Sequence, residues 1–297
     1  RREKGGYETK MKDVCIRQMM KEDVEGADRL RRLMGWNQTL ADWRRFLELS
    51  PQGCFVATQY GFLLGTVTSL TYDQTLSWIG MMLVHPEHRR QGIGRQLMEQ
   101  VLSYLQGCGV KCIKLDATPL GAHLYEQMGF VPEWTLTRWQ GNGGTDTIPL
   151  PGSTHVTRDL HHGDWAAVEE MDKSVLGVSR GNLIRSLALH SRRALVWPSQ
   201  GKVRGWGLLR AGARADYLGP LVCCENEGAL ALVHDLLASA GSRLVFCDVP
   251  DQNKRAASAF QQLSFIPVRP LTRMRLGPPV GEINVQAQFA IADPSAG

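Results

Sequence analysis

The 297-residue chain has no apolar run approaching about 18 residues, so no transmembrane helix is expected. Arg1-Arg2-Glu3-Lys4 leads into polar residues without the apolar stretch of a signal peptide, and Met11 is the expected natural start. The seven cysteines include no C-x-x-C pair. Cys108/Cys112 and Cys223-Cys224 also lack histidines at zinc-ligand spacing, so reduced, mostly structural thiols in a cytoplasmic compartment are expected, and no metal. Neither sign of charge dominates. Lys+Arg 34 against Asp+Glu 29 leaves a net +5 with no long basic run, which is no footprint for nucleic acid, although an anionic ligand can still be favoured locally. What is present is an ordinary packed composition, 43% hydrophobic and 21% charged, which excludes intrinsic disorder. The length suits two domains, each with a core of its own.

An internal repeat organises the chain. Arg17 and Asp23 recur 141 residues later as Arg158 and Asp164, and Gly65 recurs 140 later as Gly205. Phe130-Val131-Pro132 and Leu136-Thr137-Arg138 recur 135 later as Phe265-Ile266-Pro267 and Leu271-Thr272-Arg273. Collinear matches of this kind mark two copies of one fold. The expected domains are residues 11–140 and 153–277, joined by a Gly/Pro-rich linker, 141–152, and followed by a tail, 278–297, that is either disordered or packed as an extension. In the first copy, strands are expected at Val14–Met19, Phe55–Thr58, Leu64–Leu70, Leu76–Val84 and Cys112–Asp116, with further strand character at Val131 and Thr135–Trp139. Helices are expected at Asp23–Met34, Thr39–Leu49 and Leu120–Met128. Ile93, Leu97, Val101 and Leu105, with Met98 and Leu102 beside them, step as the apolar face of another helix. The second copy repeats the order, with helices near Trp165–Val175, Gly181–His190, Gly228–Ala240 and Lys254–Leu263. The fold class is α+β, each copy a mixed, mostly antiparallel sheet flanked by helices.

One segment carries chemistry. Met82-Leu83-Val84-His85-Pro86-Glu87-His88-Arg89-Arg90-Gln91-Gly92-Ile93-Gly94-Arg95 reads as a strand, a polar turn with two glycines and a helix start. Backbone N–H groups converge there at the positive end of a helix dipole, a place suited to a pyrophosphate. Arg89, Arg90 and Arg95 add positive charge. The alternative is a solvated basic turn before a surface helix. Arg89-Arg90-Gln91-Gly92-Ile93-Gly94 after Leu83-Val84-His85-Pro86 resembles the acyl-CoA loop of the GNAT acetyltransferase superfamily. Leu124-Tyr125-Glu126-Gln127-Met128-Gly129-Phe130 resembles its closing L-Y-x-x-x-G-F helix, and Leu115–Gly121 resembles tandem-domain bacterial members. The resemblance covers Val14 to Trp139 well and the second half faintly.

The resemblance implies two tandem acyl-CoA N-acyltransferase domains and a strand gap that takes the pantetheine arm of acetyl-CoA. The backbone of Met82, Leu83 and Val84 would lie against that arm, and Arg89, Arg90, Gln91, Gly92, Ile93, Gly94 and Arg95 would hold the pyrophosphate. An amine would attack the thioester directly, with the oxyanion stabilised by a backbone N–H near Val84 and Tyr125 protonating the departing thiolate. Thr118 stands where many members have an asparagine that contacts CoA. A general base is less legible. Asp116 is the first candidate, its other reading being the cap of the following turn; His85 and His123 are weaker candidates, and ordered water can replace all three.

In the second copy, an offset of 135 places Phe260 at Tyr125 and Ser264 at Gly129. Cys223-Cys224-Glu225-Asn226-Glu227-Gly228 replaces the loop, with no arginine and two carboxylates, so loss of acyl-CoA binding is expected. Asp251 and Asn253 match Asp116 and Thr118 at the same offset. Arg180 is either an anchor for a substrate carboxylate or the opening of a helix on a solvated face. Trp36, Trp43 and Trp78 are either pocket or core. The reading is an N-acetyltransferase acting on a small-molecule amine, without nucleic acid or membrane partners, monomeric or homodimeric. The alternatives are a non-catalytic acyl-CoA-binding module, which has no use for an acid at Tyr125, and an acetyltransferase of protein N-termini, which needs an open groove.

Overall fold

The computed structural model describes residues 14–144 and 156–297. The expectations on Arg1–Lys4, on Met11 and on 145–152 of the linker lie outside these residues. The chain divides into two compact units, one of residues 14–70 with Ile79–Gly109, the other of Thr71–Trp78 with Val110 onward.

The first unit opens with β1 (Cys15–Gln18), α1 (Val24–Leu33) and α2 (Leu40–Leu49). Thr39 begins α2 in a capping box: its backbone N–H donates to Asp42 Oδ2 at 2.7 Å and its hydroxyl to the same oxygen at 2.9 Å. β2 (Cys54–Gln59) pairs antiparallel with β1 and with β3 (Phe62–Tyr72). β4 (Leu76–Val84) neighbours β3, and α3 (Ile93–Gly107) buries the six residues of the expected apolar stripe. Gly65 lets α3 lie close to β3, since a Cβ there would stand 2.9 Å from a Leu97 methyl. Gly205 does the same in the second copy, with a Leu232 methyl at 3.0 Å.

The second unit contains β5 (Cys112–Ala117), α4 (Pro119–Gln127), β6 (Val131–Asn142), β7 (Arg158–Asp159), α5 (Trp165–Leu176) and α6 (Gly181–Leu189). It continues with β8 (Ser191–Ser199), β9 (Lys202–Arg210), β10 (Asp216–Cys223), α7 (Asn226–Ala240), β11 (Leu244–Pro250), α8 (Lys254–Gln262), β12 (Ile266–Leu276) and β13 (Gln288–Ala290). The first three residues of β4, Leu76–Trp78, pair parallel with Cys112, Ile113 and Lys114 of β5. From β5 the strand order is β12, β6, β11, β10, β9, β8, β7, with β13 on β10.

That order contains an exchange. β12, the last long strand of the second copy, pairs with β5 of the first copy, and β6 of the first copy pairs with β11 of the second. The exchanged strands also pair antiparallel with each other. Two arginines from the repeated Leu-Thr-Arg motif secure the crossing. Arg273 faces Asp116 across β12 and β5, and Arg138 faces Asp248 across β6 and β11. Each guanidinium binds its carboxylate with two nitrogens, at 2.8 and 2.9 Å for Arg273 and at 2.9 and 2.5 Å for Arg138.

The repeat is visible at the other end of each copy too. Arg17 binds Asp23 bidentately, both contacts at 2.7 Å, and Arg158 binds Asp164 at 2.7 and 2.8 Å. The tail is packed: β13 joins β10, and Phe289 to Ala292 are fully buried. The cysteines carry free thiols, with Cys54, Cys112, Cys223 and Cys247 buried. Among the described residues no helix is long and apolar enough to cross a membrane.

Candidate active site

The glycine-rich loop lies in the first unit. β4 stays paired to β3 past Val84, His85 N–H donating to Leu64 O at 2.8 Å, and Pro86 then starts a single 3-10 turn, Pro86–His88. Arg90 (φ 58°) and Gly92 (φ 80°) are both left-handed, and Gly92 begins α3. A glycine is suited to that position because any other residue is strained at this φ. The first N–H groups of a helix have no acceptor within it, so the turn that begins at Gly92 presents donors at the dipole's positive end. Ile93 is buried beneath it, which fixes the loop, while Arg90, Gln91, Gly92 and Arg95 are exposed. Arg89 behaves differently from the expectation. Its Nε donates to Val84 O at 3.4 Å and its Nη2 to Met34 Sδ at 3.1 Å, so it braces the loop from behind.

Met81 of β4 is left-handed (φ 48°) and buried, and its carbonyl accepts from Thr66 Oγ1 at 2.7 Å. A non-glycine residue held this way inside a strand disrupts the local ladder, just before Met82, Leu83 and Val84. Beside the loop, a cleft of about 460 Å³ is lined by Glu22, Phe62, His85, Glu87 and His88, among others. His85 Nδ1 is buried with no hydrogen-bond partner, and the His85 and His88 rings meet at 5.5 Å. His123 is exposed on α4, its Nε2 2.8 Å from Gln127 Nε2.

Asp116, Thr118 and Tyr125 lie in the second unit. Thr118 is the N-cap residue of α4, with Pro119 in the first helical turn, where proline's missing N–H costs nothing. Tyr125 is on the buried face of α4, its ring 6.0 Å from that of Phe130. Burial pushes the phenol up to about 12, so it holds its proton at neutral pH. Gly121, one turn earlier, leaves room for it: a Cβ there would come within 3.0 Å of the Tyr125 ring and 3.4 Å of its hydroxyl.

Asp116 requires a correction. Both its oxygens accept from Arg273, and the side chain is 0% exposed. Arg273 is itself stacked between Trp78 and Trp134, at 4.4 and 4.2 Å from the ring centres. Burial raises the carboxyl against the pull of Arg273. A carboxylate so enclosed is a structural ion pair and not a general base. Its counterpart in the second copy is Asp248, which faces Arg138; Asp251 instead accepts from Thr137 Oγ1 at 2.8 Å. Arg180 is corrected as well. It is neither a substrate anchor nor solvated, being fully buried, bound to Asp172 at 2.7 and 3.0 Å and donating to the backbone oxygens of Ala296 and Gly297. Trp43 and Trp78 are core. Sequence reasoning missed Arg273 and Gly121. The repeated Leu-Thr-Arg motif signalled the first; the four-residue spacing from Tyr125 signalled the second.

The second copy keeps this architecture with different side chains at the matching positions. Phe260 sits on Phe265 at 5.3 Å, reproducing the Tyr125–Phe130 pair without the hydroxyl, and Ala256 replaces Gly121. At the start of α7, Glu225 pairs with Arg204 at 3.3 Å, and Gly228 lies against the buried Trp197 ring, which a Cβ would approach to 2.3 Å. Among the described residues no cluster of His, Cys, Asp and Glu could hold a metal ion.

Known proteins match both copies. Acetyltransferase (GNAT) domain profiles match residues 50–132 and residues 168–290, the second match running through β13. A holothin acyltransferase of Pseudoalteromonas is 24% identical over 203 residues, covering 66% of this chain and 67% of that protein. A solved acetyltransferase candidate from Pyrococcus horikoshii superposes with a TM-score of 0.80 at 22% identity, covering 100% of this chain and 99% of that one. A tandem GNAT protein from the clavulanic acid biosynthesis pathway superposes with a TM-score of 0.66 at 17% identity, covering 90% and 100%. At these identities the solved structures speak for the fold.

Proposed function

Because the chain belongs to the GNAT acetyltransferase family and carries two such domains in tandem, we propose that its first copy transfers an acetyl group from acetyl-CoA to a primary amine of a small-molecule acceptor while the second copy serves as scaffold. The observation that carries this reading is the asymmetry between the copies. The first copy's sequence has a left-handed glycine at a helix start with basic residues beside it, in one unit, and a buried phenol, in the other, and none of the three is kept at the matching positions of the second copy.

The residues suit acetyl-CoA as co-substrate. The N–H groups at the start of α3, with Arg90 and Arg95, provide for the pyrophosphate. In the chemical step the amine nitrogen bonds to the thioester carbonyl carbon, and backbone donors of β4 stabilise the oxyanion. The tetrahedral intermediate then collapses as the C–S bond breaks, and the thiolate takes the Tyr125 proton. Burial that pushes the phenol up to about 12 keeps it protonated at neutral pH, so its proton is in place when the thiolate forms. With Asp116 engaged by Arg273, no carboxylate of this copy is assigned as base; the amine attacks in its neutral form, and the proton its nitrogen sheds on becoming an amide passes to water, from which Tyr125 regains the one it gave.

Acetyl transfer from acetyl-CoA to a panel of amines, with free thiol release as the readout, tests this reading. Tyr125→Phe should lower turnover by about 10²–10⁴-fold with little change in acetyl-CoA affinity. Equal turnover in the variant would remove the acid, and no transfer to any amine would turn the reading toward an acyl-CoA-binding module.

A further inference from the structure

The gap that a GNAT domain opens between two parallel strands is filled, in the second copy, by the chain itself. β10 and β11 pair only at Asp216 with Val245 and Tyr217 with Phe246. Beyond that, β13 lies antiparallel to β10, Leu221 opposite Ala290 and Val222 opposite Gln288, while Ile291 N–H reaches across to Asp248 O of β11 at 3.0 Å. The segment thus bonds to both separated strands. Asn253 holds its approach, its amide Nδ2 donating to Gln286 O at 3.1 Å and to Gln288 O at 3.0 Å while its Oδ1 caps α8. Phe289 is buried in the same cluster as Leu232 and Leu236 of α7 and Phe260 of α8. Gly219 of β10 is shaped to the occupant: its φ is 153°, and a Cβ on it would stand 2.2 Å from the Ile291 carbonyl oxygen.

We propose that the second copy's strand gap is a peptide-binding slot whose ligand is the chain's own segment 285–292, seated where the first copy would take the pantetheine arm. The comparison with pantetheine rests on the functional reading above; the slot itself rests on the pairing. Recognition is by strand addition, in which main-chain hydrogen bonds hold an extended peptide and buried side chains set its register. No cofactor is needed, which accounts for an acidic start to α7 being tolerated. The tail continues from the slot to the hairpin tip that begins β4. Tyr72 Oη donates to Ala296 O at 2.9 Å and Trp78 Nε1 to Pro294 O at 3.1 Å.

The test uses the full chain with a protease site introduced at the exposed Gly281–Glu282 pair. After cleavage, the 282–297 fragment should co-elute with the body in size exclusion, and the Ala290 and Ile291 amides should exchange as slowly as those of β10. Gly219→Ala, which drives a methyl into the Ile291 carbonyl, should release the cut fragment and speed exchange along Leu221–Val222. Gln288 buries an amide that has no partner for either polar atom, so Gln288→Met should raise Tm and hold the fragment more tightly. A fragment that leaves a folded body with Tm and β10 exchange unchanged would overturn the proposal, as would fast exchange at Ile291 in the uncut chain. Acetyl-CoA binding is scored separately. A chain that keeps the fragment but binds no acetyl-CoA would retain the slot and remove the functional reading.

Discussion

Asp116 and Arg273 show how one side chain's role depends on a partner 157 residues away. Removing one member of a buried ion pair leaves an unpaired charge or donor in the core and typically costs about 3–5 kcal/mol. Asp116→Asn should therefore lower unfolding free energy by about that amount in a denaturant titration, and Asp116→Asn combined with Arg273→Met should recover part of it. A base would give the opposite pattern, intact stability with lost turnover. Gly121 acts through Tyr125. Gly121→Val crowds the phenol, so kcat should fall by about 10–100-fold while KM for acetyl-CoA stays close to the parent value; an unchanged kcat would free Tyr125 from any dependence on that contact. The phenol also makes an alkaline prediction. A free tyrosine titrates near 10, and burial holds Tyr125 up to about 12. Its contribution to stability is complete below pH about 10 and is lost as pH rises from there toward about 12. Tyr72 and Tyr217 are raised in the same direction. Tyr125→Phe should make the alkaline fall in the denaturation midpoint shallower without abolishing it.

At the level of elements, most of the architecture was legible because it is written locally. The apolar stripe from Ile93 to Leu105 predicts α3, the Thr39–Asp42 box marks the start of α2, and the glycines at 92 and 129 mark a helix start and a helix end. The strand exchange was not legible. β6 and β12 carry the same Leu-Thr-Arg motif, so either can pair with β5 or β11 on pattern alone, and the choice is made by long-range packing. β13 has only three residues and no alternation long enough to read. Arg180 lies at the start of a helix, where solvent exposure is the ordinary expectation, and only the tail that folds onto it makes it a buried anchor. The exchange carries a prediction of its own. A fragment of residues 14–144 lacks β12 and leaves β5 with an open edge, so it should be unfolded or associate through that edge. A stable monomer with cooperative unfolding by circular dichroism and sedimentation would show that the exchange is dispensable.

For the whole molecule, the proposed function means that duplication left one working cofactor site and one copy retained for its fold. The first copy keeps Gly92, the basic loop and Tyr125; the second has Glu225, Glu227 and Phe260 at the matching places and a strand gap closed by β13. Calorimetric titration of acetyl-CoA into the full chain, counting sites, tests this most directly. One site per chain, lost in Gly92→Glu because a carboxylate then stands where the pyrophosphate belongs, is the predicted result. Two sites, or one site that survives Gly92→Glu, would contradict it.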